Sequence, residues 1–197
     1  MIQISLTKNK MGYSNVYVEE EYLGSVPDKL LYKLDQGDES FADSVKEWVY
    51  NNGMKRLLDY VAKAEHSESD CVLFLKRLGV PSEVITSLME HAKTNKWVSD
   101  ERYARLYSED ALLSLMSPLD VKQKLHQKKI SSKIIEKVIN EVFKKETVNE
   151  LLDSLIDKYL KKYSDLSKNK RFEKIATALY RKGFEYSEYE HKVKGKL

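Results

Sequence analysis

The chain has 197 residues, 33% of them charged, and its 34 Lys and Arg outweigh 31 Asp and Glu by three. A chain of this length buries roughly 70% of the surface that its unfolded form exposes, enough for one large domain or several small modules. Its single cysteine, Cys71, excludes an internal disulfide. With no apolar run near the roughly 20 residues that span a bilayer and no leading export segment, a soluble cytoplasmic protein is expected.

Taken in chain order, the first elements are strands. Ile2, Ile4 and Leu6 alternate with polar residues, KNKMGYSN supplies a turn, Val16 and Val18 resume the alternation, and EEEY makes a second turn. This predicts a β-hairpin with residues 23–26 as a further short strand. After Pro27 the spacing becomes helical at Leu30, Leu31 and Leu34, breaks at DQGDES, and resumes at Phe41, Val45, Trp48 and Val49 until Gly53 interrupts it. No strand is expected beyond that point.

The rest of the chain repeats itself. A shift of fifty residues lays Val84, Ile85, Leu88, Met89 and Ala92 on Ile134, Ile135, Val138, Ile139 and Val142, one face of a helix. Leu75 and Val80 likewise meet Leu125 and Ile130, and Val98-Ser99 meets Val148-Asn149, where Ser99 and Asn149 are suitable N-caps. Three helices per unit are expected, over about 54–65, 69–78 and 82–94, then 100–114, 118–128 and 132–145. LYRKGF at 179–184 overlays LKRLGV at 75–80 and LHQKKI at 125–130, so a third unit follows a connection four residues longer.

Each unit thus turns near Gly79, Lys129 or Gly183. A helix end there favours positive φ, which costs a residue with a Cβ on the order of 1 kcal/mol, so Lys129 either closes its turn differently or tolerates strain. In the last helix Glu188, Lys192 and Lys196 replace three of five apolar positions and leave Tyr189 and Val193, as suits the end of a repeat array. The fold class expected is mainly α: tandem three-helix repeats, three in number, forming an elongated curved array, with a small N-terminal β-hairpin and helix extension. The domains are residues 1–53 for the extension, then 54–98, 99–146 and 147–197.

Charge divides unevenly along this plan. Residues 1–53 sum to −4, 54–100 to zero, 101–146 to +3 and 147–197 to +4. Such asymmetry points to a negatively charged partner, nucleic acid or a nucleoprotein, for the C-terminal half; a lysine-rich solvated surface is the plainer reading.

The stretch WVSDERYARLYSEDAL, residues 97–112, gathers acid, base and phenol in one place. Its spacing fits a helix start: Ser99 or Asp100 as cap, acids in the first turn, and Tyr103, Leu106, Tyr107, Ala111 and Leu112 as a buried stripe, with Trp97 and Val98 packing back as a hydrophobic staple. Arg102 and Arg105 project elsewhere. No P-loop or dinucleotide fingerprint occurs, His66, His91, His126 and His191 lack metal-site spacing, and Cys71 sits on an apolar helix side, so neither catalytic residues nor cofactor nor metal is expected. Tyr60, Tyr103, Tyr107 and Tyr159 lie on helical stripes and read as core rather than as base-stacking platforms.

The same stretch resembles the D-D-E-R-F-A-R segment of the RecX family, and K-Q-K-L-x-x-K-x-I-S at 122–131 follows as it does there. The resemblance extends over nearly the whole chain. It departs at Ser99, at Lys129 in place of glycine, in the arginine-poor SESDCVLFLKRL, and in the polar last helix. It implies a non-catalytic regulator that binds the groove of the RecA filament on single-stranded DNA and inhibits ATPase, strand exchange and co-protease activity, so modulating recombination, DNA repair and the SOS response. A monomer with at most weak non-specific DNA binding is expected. Candidate contacts are Arg102 and Arg105 of the motif, Lys122, Lys124, Lys128 and Lys129 after it, and Lys168, Lys170, Arg171, Lys174, Arg181 and Lys182 in the third unit. Two alternatives stay open: a helix-turn-helix-like DNA-binding transcriptional regulator, although its third helices offer only Lys133, Lys137 and Asn140 to bases, and a helical-repeat interaction adaptor.

Overall fold

Alternation at the N-terminus becomes an antiparallel sheet in the computed structural model, which describes residues 3–9, 12–34 and 40–197. Strands β1 (Ile4–Lys8), β2 (Tyr13–Val18) and β3 (Glu21–Pro27) pair in the order β1-β2-β3. The expected hairpin is thus extended by a third full strand. Ile2, Lys10, Met11 and residues 35–39, to which a strand position, a turn and a break were assigned, lie outside the described residues. The β2–β3 turn is two residues long, with Glu19 at φ 49° and Glu20 at φ 66°, the signs a type I′ hairpin demands. The Gln3 N–H donates to the Glu19 carboxylate at 3.0 Å, and the Glu19 N–H donates to the Gln3 carbonyl at 3.0 Å. These bonds hold a turn that lacks glycine.

Helices follow: α1 (Asp28–Leu31), α2 (Phe41–Val61), α3 (Glu68–Arg77), α4 (Ser82–Thr94), α5 (Asp100–Leu113), α6 (Pro118–Gln127), α7 (Ser132–Val142), α8 (Lys145–Lys162), α9 (Lys168–Arg181) and α10 (Tyr186–Lys196). The fold is mainly α with a small N-terminal sheet. Among the described residues no helix is long and apolar enough to cross a membrane. The chain forms two compact units, Met1–Ser99 and Asp100–Leu197. In the first, Val16, Leu23 and Val26 of the sheet join Val45, Val49, Leu57, Leu75 and Leu88 in one core. In the second, Leu125, Ile135, Leu152, Ile156, Ile175 and Leu179 make another.

Gly53 does not interrupt a helix: α2 runs through it, so a division after residue 53 would fall inside a continuous element. A Cβ at Gly53 would stand 2.9 Å from Leu88 Cδ1 of α4. Close packing of two helices accounts for a glycine whose intrinsic cost is roughly 0.5–1 kcal/mol. Asn149 is likewise no cap, because α8 starts a turn earlier with Lys144 at its N-cap and no side-chain cap bond. Ser67 and Ser117 are the true counterparts. Each is fully buried, fifty residues apart, and accepts from an N3 amide, Asp70 at 3.2 Å and Asp120 at 3.1 Å.

The three recurring turns close identically. The N–H groups of Val80, Ile130 and Phe184 donate to the carbonyls of Leu75, Leu125 and Leu179, each at 3.2 Å. Gly79, Lys129 and Gly183 donate to Lys76, His126 and Tyr180, and their φ values are 74°, 61° and 86°. This is the Schellman pattern, sealed by burial of the residue that follows. Lys129 therefore tolerates strain rather than closing differently. Lys129→Gly is expected to stabilise the second unit by about 1 kcal/mol, measured as a rise in the urea midpoint of its helical circular dichroism without change in slope.

The polar last helix is tied down by its charges. Lys192 reaches Asp153 at 2.8 Å and Lys196 reaches Asp157 at 2.6 Å, both on α8, while Tyr189 and Val193 enter the core. Glu188 completes a capping box, accepting from the Glu185 N–H at 2.6 Å.

Candidate partner-binding surface

The second unit holds 22 basic and 16 acidic residues, whereas the first holds 12 and 15. Its cations divide into those occupied within the unit and those turned outward.

On α5 the stripe facing α7 is Ala104, Ser108 and Ala111, smaller than expected, with Tyr103, Tyr107 and Leu112 at its margins. Leu106 is exposed instead of buried. Ser108 returns its hydroxyl to the Ala104 carbonyl at 2.7 Å, which satisfies it inside the interface. The Trp97 ring stacks on His91 of α4, centroids 5.4 Å apart.

Arg105 is not free. It pairs with Glu141 of α7 and stands 3.9 Å from Glu101, while Lys137 of α7 meets Glu101 at 2.8 Å. The hydrogen bond and charge of Lys137, with Arg105 adding, hold the Glu101 carboxyl below its usual value. Lys137, one of the few residues α7 could offer to base edges, is thus engaged. Arg102 is half-buried on the same helix and also has an interaction within the protein.

Two candidates of the third unit serve structure. Arg171 donates to the carbonyls of Tyr163 at 3.0 Å, Leu166 at 3.2 Å and Ser164, closing the C-terminal end of α8. Lys182 meets Asp120 of α6 at 2.6 Å, both partly buried. Burial pushes the Asp120 carboxyl up, but Lys182 and the Ser117 bonds outweigh it and hold the group below its ordinary value. Stability gained from a lowered carboxylate is present above the unfolded pKa and is lost as pH falls through the folded one. Lys182→Met should cost no more than about 1 kcal/mol at pH 7. In paired urea titrations its deficit should shrink below the usual aspartate range and vanish at lower pH.

Lys122, Lys124, Lys128 and Lys129 line α6 and its turn; Lys124 and Lys129 are exposed, Lys122 and Lys128 half-buried, and Lys128 has a further interaction. Lys168, Lys170, Lys174 and Arg181 are exposed on α9. At helical spacing Lys170, Lys174 and Arg181 share one face with Thr177 and with Tyr180, which is 74% exposed. Tyr180 escaped the sequence reading. The spacing 170, 174, 177, 181 already marked the face it borders.

Comparison with known proteins places this architecture. A crystal structure of regulatory protein RecX matches 99% of this chain and 100% of its own, with a TM-score of 0.72 and 25% identity. The chain is similar to the RecX family over nearly its whole length. The family's model for the third three-helix domain of RecX matches residues 146–188, which run from α8 into α10. Regulatory protein RecX of Bacillus licheniformis is 30% identical over 111 residues, 53% of this chain and 42% of the relative. The protein of the same name from Limosilactobacillus reuteri is 27% identical over 130 residues, 62% and 49% respectively. The chain spans about half the length of the curated relatives it matches. RecX from Lactobacillus salivarius, at 20% identity and a TM-score of 0.66, shares the fold over 75% of this chain.

Proposed function

We propose that this chain is a non-catalytic regulator that binds the groove of the RecA filament on single-stranded DNA and inhibits its ATPase, strand exchange and co-protease activities. The observation that carries the reading is likeness to a RecX crystal structure over 99% of the chain. The outward basic face of the second unit supports it, because phosphates and acidic protein surfaces are what such a face attracts. Three-helix repeats divided at 54–98, 99–146 and 147–197 would offer successive contacts, each modest, that sum through their linkage.

Arg102, Lys122, Lys124, Lys128, Lys129, Lys168, Lys170, Lys174 and Arg181 remain the proposed contacts. Arg105, Arg171 and Lys182 act on the partner only by giving up internal bonds, and Arg102 and Lys128 also have interactions within the protein. Purified protein, added up to equimolar ratio, should lower the ATPase of RecA assembled on single-stranded DNA, and Arg102→Ala with Arg105→Ala should weaken that effect. No inhibition at saturating protein would sink the recombinase reading. Preference for one duplex sequence without RecA would favour a transcription regulator.

A further inference from the structure

The first unit contains a feature unrelated to the basic face. An open groove of about 670 Å³ lies between β3, α2 and the first turn of α4, within the range of volumes in which proteins hold ligands. Leu23 and Val84 give it an apolar floor, and Tyr22, Tyr50 and Pro81 stand as walls. Both tyrosine hydroxyls are engaged away from any ligand. Tyr22 donates to the Gly79 carbonyl at 2.7 Å, and Tyr50 shares a 3.2 Å bond with Nδ1 of His91, which Trp97 stacks against. Walls fixed beforehand reduce the ordering cost of binding.

Charge around the groove is one-sided. Glu21, Glu47 and Glu83 come from three different elements, against Lys46 alone. Lys46 stands 3.7 Å from Glu21, which leaves Glu47 and Glu83 to set the field over an apolar floor. An occupant must therefore bring more than one positive charge and apolar groups between them. Arginine and lysine do so on a peptide, since their stems lie along aromatic faces while their heads reach carboxylates.

We propose that this groove binds a basic peptide segment of a partner protein, with apolar side chains on Leu23 and Val84 and cationic ones at Glu47 and Glu83. The inference goes beyond the recombinase reading and does not depend on it. A fluorescein-labelled octapeptide alternating arginine and leucine, titrated into the full chain, should give saturable anisotropy and shift the amide resonances of Tyr22, Tyr50 and Ser87. Glu47→Lys with Glu83→Lys, both at exposed positions that leave the core intact, should weaken binding by about tenfold or more, whereas Lys46→Ala should bind at least as well. The proposal is overturned if the double variant binds equally, or if an octapeptide alternating glutamate and leucine does. Displacement by spermidine alone, or self-association on sedimentation that the double variant abolishes, overturns it in favour of a polyamine or a second copy. Inhibition of the RecA ATPase by the double variant is measured separately, so either reading can fail alone.

Discussion

Replacing Lys170, Lys174 and Arg181 by glutamine is expected to weaken the proposed restraint of the RecA ATPase more than Arg102→Ala with Arg105→Ala does. Arg105 is already balanced by Glu141 and Glu101, so a partner must compete with two carboxylates for it. The α9 cations stand exposed on one face beside Tyr180 and give up no ion pair recorded among the described residues. Where three such charges meet phosphates of single-stranded DNA, the slope of log affinity against log salt falls by about 2 when they are removed. Where they meet acidic protein, salt dependence also falls but survives digestion of the DNA beyond the filament. Half-maximal inhibition should need at least about ten times more of the triple variant at low salt, and the two curves should converge as salt rises. Unchanged half-maximal inhibition would leave these residues as solvated surface cations. Circular dichroism of the triple variant should match the parent, because Ile175 and Leu179, the buried side of α9, are untouched.

What the sequence revealed follows from what is local. Alternation at Val16 and Val18 marked β2, and the fifty-residue register of Leu75 with Leu125 marked helices whose ends recur because their turns do. Lys129 was visible as an exception, yet its φ could not be read from one letter. Helix starts were less legible: Asn149 has the chemistry of a cap but lies within α8, whose start at Lys144 carries no cap signal at all. Gly53 looked like a break because its reason, Leu88, is 35 residues distant and visible only in three dimensions. For the surface, helical spacing gave the exposed face of α9. It could not separate Lys174 from Arg171 or Lys182, since only tertiary contacts show which cation holds carbonyls, which holds a carboxylate and which has no ion pair among the described residues.

Gly79→Ala should destabilise the first unit by about 2–4 kcal/mol. Two effects add. Gly79 sits at φ +74°, where a Cβ costs about 1 kcal/mol. That Cβ would also stand 2.8 Å from Ser25 Cβ and 3.0 Å from Tyr22 Oη, on the strand clamped over the turn. The clamp itself consists of two donors on one acceptor, since the Tyr22 hydroxyl at 2.7 Å and the Ser25 N–H at 3.2 Å both meet the Gly79 carbonyl. Burial, with Tyr17 adding, raises the Tyr22 phenol above its ordinary value, which favours its protonated, donating form. Both tryptophans, Trp48 and Trp97, belong to the first unit, so tryptophan fluorescence in urea reports it alone. Lys129→Gly removes a Cβ from the same conformation in the second unit and should move stability the other way. The difference between the two turns is what covers them: β3 presses on Gly79, whereas Lys129 is exposed, which is why one position demands glycine and the other accepts lysine. If Gly79→Ala left the fluorescence midpoint in place, β3 would not be held by this turn, and the tyrosine wall of the groove would lose its anchor.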